Sequence, residues 1–225
     1  MELLDTSPLS QARLDALRAV HPWLGRYPWQ CCKYEKKEYL CRFREPVHRL
    51  IFLLEGRVSV SLTPPHGRTH IITWSSKNDL ICGDVEVALG NTLASADLQA
   101  EDGALCLCLP ITPHLESLRQ DNDFLRYALA RLALQMVQQS IYTANNLLFP
   151  LEERMAGYII HYSEDGLFRA NLTRTAELLG ASYRQLSRVM GGYADRGLLR
   201  KEGTLWRITD WAGLKTLSAN MENLL

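Results

Sequence analysis

The chain has 225 residues, of which 47% are hydrophobic and 22% are charged, and it carries 25 basic and 25 acidic side chains. This balance is typical of globular proteins and excludes a disordered or fibrous chain, and the length is sufficient for two domains and a connector. Because the charges cancel, only their distribution along the chain can indicate a nucleic-acid partner.

No apolar stretch is long enough for a membrane helix. The longest run, Ala104–Ile111, is far shorter than the roughly 20 residues that a bilayer crossing requires. The first residues have neither the basic start nor the apolar stretch of a secretion signal. We therefore expect a cytoplasmic protein without a membrane partner, in which the six cysteines are reduced thiols.

The first predicted elements are a short helix and a series of strands. Leu14, Leu17 and Val20 have helical spacing after Ser10, which can cap a helix, and Pro22 ends the helix. The predicted strands are Leu50–Leu54 and Val58–Leu62 around a turn at Glu55–Gly56, then His70–Trp74 and Leu105–Leu109. Such short strands at these intervals predict an antiparallel β-barrel or jelly roll as a sensor domain, over residues 1–110.

A long helix is predicted after the barrel. No glycine or proline lies between Pro113 and Pro150, and apolar residues recur every three or four positions. A helix of roughly 30 residues extends about 45 Å, so its apolar stripe reaches beyond one small domain and needs a partner. We expect residues 111–149 to form a dimerisation helix with Leu125, Leu129, Leu132, Met136 and Leu147 in the interface. The alternative is that the stripe packs only on its own β domain.

The most informative local pattern lies within residues 150–225, where a helix-turn-helix is predicted from about Leu172 to Leu199. Gly180 suits the tight turn between two short helices because glycine tolerates positive φ. Arginines on the outer face of the second helix can pair with guanine in the major groove. The predicted DNA contacts of this motif are Thr173, Ser182, which also caps the second helix, Tyr183, Arg184, Ser187 and Arg188. An ordinary helical hairpin with a solvated arginine face is the alternative.

A β-wing is predicted after the second helix. Gly197 ends that helix, and two short strands flank a turn at Glu202–Gly203. We expect Arg200 and Lys201 to contact DNA phosphates from this wing without reading sequence. Residues 169–207 contain eight basic and three acidic side chains, so positive charge is concentrated in this segment. The sequence therefore predicts double-stranded DNA as a partner.

With these elements placed, the chain resembles the Crp/Fnr family of transcription regulators over nearly its whole length. The resemblance lies in Leu53–Val60, in Ile81–Glu86, in the long helix and in the Leu-Gly-x-Ser…Leu-Ser-Arg-Val pattern over 179–189. Within the family, Leu178–Leu186 and Phe149–Leu151 resemble the YeiL-type subgroup most.

The resemblance implies an α+β fold with a cyclic-nucleotide-binding-like barrel, a long dimerisation helix and a C-terminal winged helix-turn-helix. It also implies a homodimer that regulates promoters together with RNA polymerase and that is not an enzyme. The family's base-reading positions fall on Arg184, Ser187 and Arg188. Arg184 stands where glutamate is usual, so the family's familiar operator sequence does not carry over to this chain.

The resemblance also points to an effector pocket in the barrel. In family members that bind cyclic AMP, a glycine–glutamate pair and a later arginine–serine pair hold the ribose and the phosphate. Gly83, Asp84 and Ser95 retain part of this frame, but Ala94 stands at the arginine position. A phosphate would lack its main charge partner there, so we expect that cyclic-AMP binding has been lost and leave the small-molecule effector unidentified.

A redox-sensing regulator is an alternative for the barrel. The oxygen-sensing branch of the family holds an iron–sulfur cluster on four cysteines, but Cys31, Cys32 and Cys41 do not have its spacing. Cys106 and Cys108 flank the position of its fourth cysteine, and alternating strand residues provide at most two ligands on one face. A thiol switch between Cys31 or Cys32 and Cys41 is a second form of this alternative.

A cupin-type metalloenzyme is a more distant alternative. His48, His66 and His70 could bring imidazoles to a pair of strands, as a metal site requires. This interpretation leaves the C-terminal third of the chain without a role. No metal or other cofactor is firmly implied by the sequence.

Overall fold

A computed structural model describes residues 2–4, 11–64, 69–75, 77–90, 93–169 and 171–222. The chain forms two compact units that divide between residues 134 and 135, with residues 69–71 grouped with the second. No helix in the described part of the chain combines the length and the apolar character that a bilayer crossing requires.

The first unit begins with a helix and an aromatic cluster. Helix α1 spans Gln11–Val20 and is followed by a 3₁₀ helix over Pro22–Arg26, so the predicted short helix and its end at Pro22 are confirmed. The predicted cap Ser10 lies outside the described residues. Trp23 is fully buried, and its ring lies 5.2–6.3 Å from the rings of Trp29, Phe52, Phe124 and Tyr127. These contacts anchor the 3₁₀ helix to the core of the unit.

The centre of the first unit is a seven-stranded sheet whose described strands pair in antiparallel fashion. Its main path runs β1-β2-β7-β4-β5, with β3 paired to β7 and β6 paired to β4. The strands are β1 Glu2–Leu4, β2 Gln30–Tyr34, β3 Tyr39–Cys41, β4 Arg49–Leu62, β5 His70–Trp74, β6 Asp79–Cys82 and β7 Asp97–Pro110. The predicted antiparallel β domain is confirmed.

The predicted turn at Glu55–Gly56 is wrong. Strand β4 continues through it, pairs with β7 along its length, and shifts register between Leu53 and Glu55 and again between Gly56 and Val58. Gly56 has φ +93°, and a Cβ atom there would lie 2.2 Å from the backbone oxygen of Gly103 on β7. Glycine therefore permits a bulge with close strand approach, and the chain does not reverse direction.

The predicted single helix after the barrel is broken near its start. After helix α2 at Asp84–Leu89 and strand β7, a 3₁₀ turn over Thr112–His114 leads into α3 at Leu115–Gln120, and the long helix α4 spans Asn122–Leu148. Asp121 separates α3 from α4: it has extended ψ, and its Oδ1 accepts hydrogen bonds from the backbone N–H groups of Asp123 and Phe124. Asp121 thus caps α4, which has 27 residues.

The second unit contains four helices and a small sheet of order β8-β10-β9. The elements after α4 are α5 Leu151–Tyr162, β8 Leu167–Phe168, α6 Leu172–Leu178, α7 Tyr183–Asp195, β9 Leu199–Glu202, β10 Leu205–Ile208 and α8 Trp211–Glu222. Their core contains Met155, Ala156, Ile159, Phe168, Ala176, Leu186, Met190, Tyr193, Leu198, Leu199, Ile208 and Leu214. The α+β fold with a C-terminal winged helix-turn-helix is thus confirmed.

Candidate nucleic-acid interface

The turn between α6 and α7 is built as the sequence predicts. Gly180 has φ +62°, a backbone conformation that glycine adopts without steric cost. Ala176 and Leu178 from α6 and Leu186 from α7 are buried, so the apolar side chains of the two helices fill the space between them. This packing fixes the direction in which α7 leaves the turn.

Both helices begin at side-chain caps. Ser182 Oγ accepts a hydrogen bond from the backbone N–H of Gln185 at 3.2 Å, and Gln185 Oε1 accepts one from the backbone N–H of Ser182 at 2.9 Å. The predicted cap of α7 is confirmed as a reciprocal capping box. Asn171 caps α6 by accepting a hydrogen bond from the backbone N–H of Arg174, a role that was not predicted from the sequence.

The outer face of α7 carries the side chains predicted to contact DNA. Tyr183, Arg184, Ser187 and Arg188 are all exposed. Positions 184, 187 and 188 are three and four residues apart, so they lie on one face of the helix. Within the described part of the chain, neither Arg184 nor Arg188 has an ion-pair partner. Both guanidinium groups are therefore available to an external ligand. Thr173 is exposed near the start of α6.

The wing comprises β9 and β10, and its arginines share one carboxylate. Glu202 accepts hydrogen bonds from Arg200 Nη2 at 2.7 Å and from Arg207 Nε at 2.9 Å. The bond from Arg207 and, to a smaller extent, the bond from Arg200 lower the pKa of Glu202 to about 2. Lys201 is exposed, and its Nζ lies 6.0 Å from the centre of the Trp206 ring. Neither the ion pairs of Glu202 nor the part that Arg207 takes in them was predicted from the sequence.

The Glu202 carboxylate should compete with DNA phosphates for the two arginines. We expect Glu202→Gln to raise affinity for non-specific duplex DNA and to steepen the salt dependence by about 0.9 in log–log slope for each additional phosphate that the wing neutralises. Fluorescence anisotropy titrations at several salt concentrations measure both quantities. Since Glu202 remains ionised down to about pH 2, the difference from wild type should persist between about pH 5 and about pH 8.

A charge-matched variant provides the control for Glu202. Glu164→Gln removes one exposed carboxylate from the same unit; Glu164 lies outside β9 and β10 and, in the described part of the chain, forms no ion pair with Arg200 or Arg207. If the Glu164 and Glu202 variants raise affinity and slope equally, the change reflects net charge alone, and the competition is refuted.

The residues predicted for the dimer interface lie along α4. Leu129 and Met136 are both 69% exposed and Leu147 is 79% exposed, while Leu125 is exposed and Leu132 is partly buried. Large apolar side chains at this exposure, in a repeat of three and four residues, are typical of a surface that another helix covers.

The residues predicted for the effector pocket lie at the start of α2 and before β7. Gly83 has φ +98°, and a Cβ atom there would lie 2.9 Å from the backbone oxygen of Arg49. Asp84 is buried and accepts a hydrogen bond from Arg131 Nη1 at 2.6 Å, whereas Ser95 is exposed. The side chain of Asp84 is thus already occupied by a guanidinium group from α4.

Arg131 belongs to a polar network that was not predicted from the sequence. Its Nε lies 3.3 Å from Asp79, which also accepts a hydrogen bond from the hydroxyl of Tyr127. Burial and this hydrogen bond raise the pKa of Tyr127, so the phenol remains protonated. The network joins α4 to β6 and to the start of α2 within the first unit.

All six cysteines are free thiols, and Cys41 has a different neighbour from the predicted one. The Sγ atoms of Cys41 and Cys82 lie 3.8 Å apart, so the thiol beside Cys41 belongs to Cys82 and not to Cys31 or Cys32. Cys106 is buried opposite Cys32 in the pairing of β2 with β7. Burial is the main cause that raises the pKa of Cys106, which favours the thiol over the thiolate that ligates metals.

The histidines of the metalloenzyme alternative do not form a described metal site. His48 and His70 are exposed, and His66 lies outside the described residues. Over the part of the chain that the structure describes, no group of three or more His, Cys, Asp and Glu residues is arranged to hold a metal ion.

Comparisons with known proteins agree with this architecture. Residues 31–121 match the model of the cyclic nucleotide-binding domain. The chain is 27% identical over 186 residues to the regulatory protein YeiL of Escherichia coli O157:H7, a match that covers 83% of this chain and 84% of YeiL.

Solved structures share the fold at low sequence identity. A transcriptional regulator of the Crp/Fnr family from Eubacterium rectale superposes with a TM-score of 0.74 at 13% identity, covering 94% of this chain and 96% of that one. A transcriptional regulator of the CRP family from Thermus thermophilus superposes with a TM-score of 0.68 at 20% identity, covering 84% and 96%. Residues 31–121 thus match a cyclic nucleotide-binding domain, most of the chain is similar in sequence to YeiL, and the fold is shared with solved regulators of the Crp/Fnr family.

Proposed function

We propose that the chain is a cytoplasmic regulator that binds palindromic promoter DNA as a homodimer and acts there with RNA polymerase. The observation that carries this proposal is the outer face of α7, where Arg184, Ser187 and Arg188 are exposed on a capped helix of a winged helix-turn-helix. A helix of this kind fits the major groove with its N-terminal residues toward the bases. The relatives are regulatory proteins, which agrees with a function other than catalysis.

Dimerisation is supported by the exposed apolar side chains of α4. A twofold dimer presents two copies of α7, and each copy would enter the major groove about one helical turn from the other. The centres of the two half-sites should then be about 34 Å apart, and the DNA site should have matching twofold symmetry.

The base-reading residues are tested by selection from random duplex DNA. We expect wild type to enrich a palindrome, and Arg184→Ala and Arg188→Ala each to weaken specific binding by about 1–3 kcal/mol and to relax selectivity at separate base positions. Lys201→Ala should instead weaken binding to specific and unrelated DNA alike, since a phosphate contact carries no sequence information.

Lys215→Ala serves as the control for these DNA-binding variants. Lys215 is an exposed lysine on α8, outside both α7 and the wing, so its removal should leave specific affinity unchanged. The proposal fails if wild type enriches no palindrome, or if both arginine variants bind the selected site as tightly as wild type does.

Loss of cyclic-AMP binding is part of the proposal. Two features support it: the carboxylate of Asp84 is paired with Arg131, and Ala94 is a buried alanine where the family's cyclic-AMP-binding members have arginine. A ligand phosphate would find no cation at that position. We therefore expect cyclic AMP to leave the melting temperature of the full-length protein unchanged, measured by thermal shift; a rise that saturates with concentration would contradict this.

A further inference from the structure

Arg154 lies in the first turn of α5 and connects three segments of the second unit. Its Nη1 donates hydrogen bonds to Oδ1 of Asn146, at 2.6 Å, and to the backbone oxygen of Leu179. Its Nε donates to the backbone oxygen of Phe149 at 3.1 Å. The acceptors thus belong to the last turns of α4, to the link between α4 and α5, and to the end of α6 beside the Gly180 turn.

The chemistry of these contacts favours a positioning role. All three acceptors are neutral oxygens, and burial lowers the pKa of the Arg154 guanidinium. A guanidinium group is planar and presents its donors in a fixed fork, so acceptors bonded to it are held in one mutual arrangement. Withdrawal of the side chain would remove all three of these hydrogen bonds, one to each segment.

The recognition helix is connected to the same region at its other end. The hydroxyl of Tyr193 on α7 donates to the backbone oxygen of Glu152 on α5, and Arg196 pairs with the side chain of Glu152. These bonds tie α7 to α5, whereas Arg154 ties α5 and the end of α6 to α4. The neighbouring Asn145 is buried, so one face of the last turns of α4 is covered, whereas Leu147 on another face is exposed.

We propose that Arg154 is a positioning residue that fixes α7 relative to the C-terminal end of α4, and thereby sets the half-site spacing that the dimer accepts. The inference rests on the proposed function, since α4 is the dimer helix and α7 the recognition helix in that proposal. In a dimer joined through α4, the separation of the two α7 helices depends on how each is held to its own α4. A rigid attachment favours one DNA spacing, and a loose attachment tolerates several.

The test uses full-length protein and palindromic duplexes whose half-sites stand at the selected spacing or are shifted from it by about one or two base pairs. A duplex with a single half-site reports α7 binding alone. We expect wild type to prefer the selected spacing by about tenfold or more, and Arg154→Met to reduce this preference to about threefold or less. Affinity for the single half-site should stay within about twofold of wild type, because Arg154 does not belong to the proposed reading face.

Three further variants test whether the spacing preference depends on the contacts of Arg154. Arg154→Lys should restore the preference only in part, because an ammonium group lacks the fixed fork. Arg196→Met removes one of the two bonds to Glu152 and leaves the Tyr193 bond and all Arg154 contacts in place, so it should keep the wild-type preference. Asn146→Ala keeps Arg154 and removes one of its acceptors. It should therefore reduce the spacing preference less than Arg154→Met does. It also provides a test if Arg154→Met does not fold.

The inference is overturned if Arg154→Met keeps the wild-type spacing profile, or if it loses single half-site binding in the same proportion as palindrome binding. If Arg154→Met does not fold, an unchanged profile for Asn146→Ala overturns it. Failure of the proposed function has a different signature, because wild type itself would then select no palindrome.

Discussion

Leu129→Lys should convert the proposed dimer to a monomer and weaken binding to a palindromic site by about 10²–10⁴-fold. Leu129 is 69% exposed on α4, in the middle of the proposed interface. A lysine there would place its ammonium group against the partner helix, where an unpaired charge is strongly unfavourable. Without the dimer, the second recognition helix no longer binds as part of one molecule, and its contribution to avidity is lost.

Sedimentation velocity and DNA titration together measure the effect of Leu129→Lys. Leu89→Lys is the matched control, since Leu89 is 74% exposed but is the last residue of α2 and lies outside α4. We expect the Leu89 variant to sediment as wild type and to keep wild-type DNA affinity. A Leu129 variant that still sediments as a dimer would place the interface elsewhere.

Leu186→Ala should destabilise the second unit by about 2–5 kcal/mol and abolish specific DNA binding at temperatures where wild type binds. Leu186 is fully buried where α7 packs on α6, inside a core formed from short elements. Removal of its side chain leaves a cavity between the two helices that these elements are poorly able to close. Since the first unit has a separate core, we expect its thermal transition to be unchanged.

Scanning calorimetry and urea denaturation check the Leu186 prediction. Leu186→Met provides the control, because a swap that conserves volume should cost less than about 1.5 kcal/mol and preserve DNA binding. If Leu186→Ala lowers stability by under about 1 kcal/mol, the packing between α6 and α7 is less important than the buried geometry indicates.

The sequence predicted elements whose signals are local. Ser182 and Gln185 stand three residues apart at the start of an amphipathic segment, and Gly180 precedes them. The cap, the turn and the second helix of the helix-turn-helix could therefore be predicted from spacing alone. The wing was accessible for the same reason, because Gly203 lies between two short β-type segments.

The sequence misled where one residue type serves two geometries. Gly56 suits a turn and a bulge equally, and only its close approach to Gly103 on β7, distant in sequence, selects the bulge. Asp121 lies in a segment without glycine or proline, so nothing in the helical pattern marked the break before α4. Its cap position is further stabilised by Arg26 and Tyr27, which are distant in sequence.

Polar pairs between different elements could not be predicted from the sequence. The contacts of Arg131 with Asp79 and Asp84, and those of Arg154 with Asn146 and Leu179, depend on how α4 and α5 pack. Periodicity identifies buried apolar faces, but it does not specify which charged side chains meet across them.

The pairing of β4 with β7 bears on the order in which the chain folds. Arg49 pairs with Pro110 and Ser61 with Asp97, so the two strands join residues that are far apart in the sequence. Each pair of residues between them therefore closes a long loop of chain. Such contacts are slow to form, whereas the helices and the short hairpin of the second unit form through nearby residues. The first unit is synthesised first, but it should therefore reach its native structure after the second unit does. Until β7 pairs with it, the edge of β4 stays open to incorrect pairing with other strands.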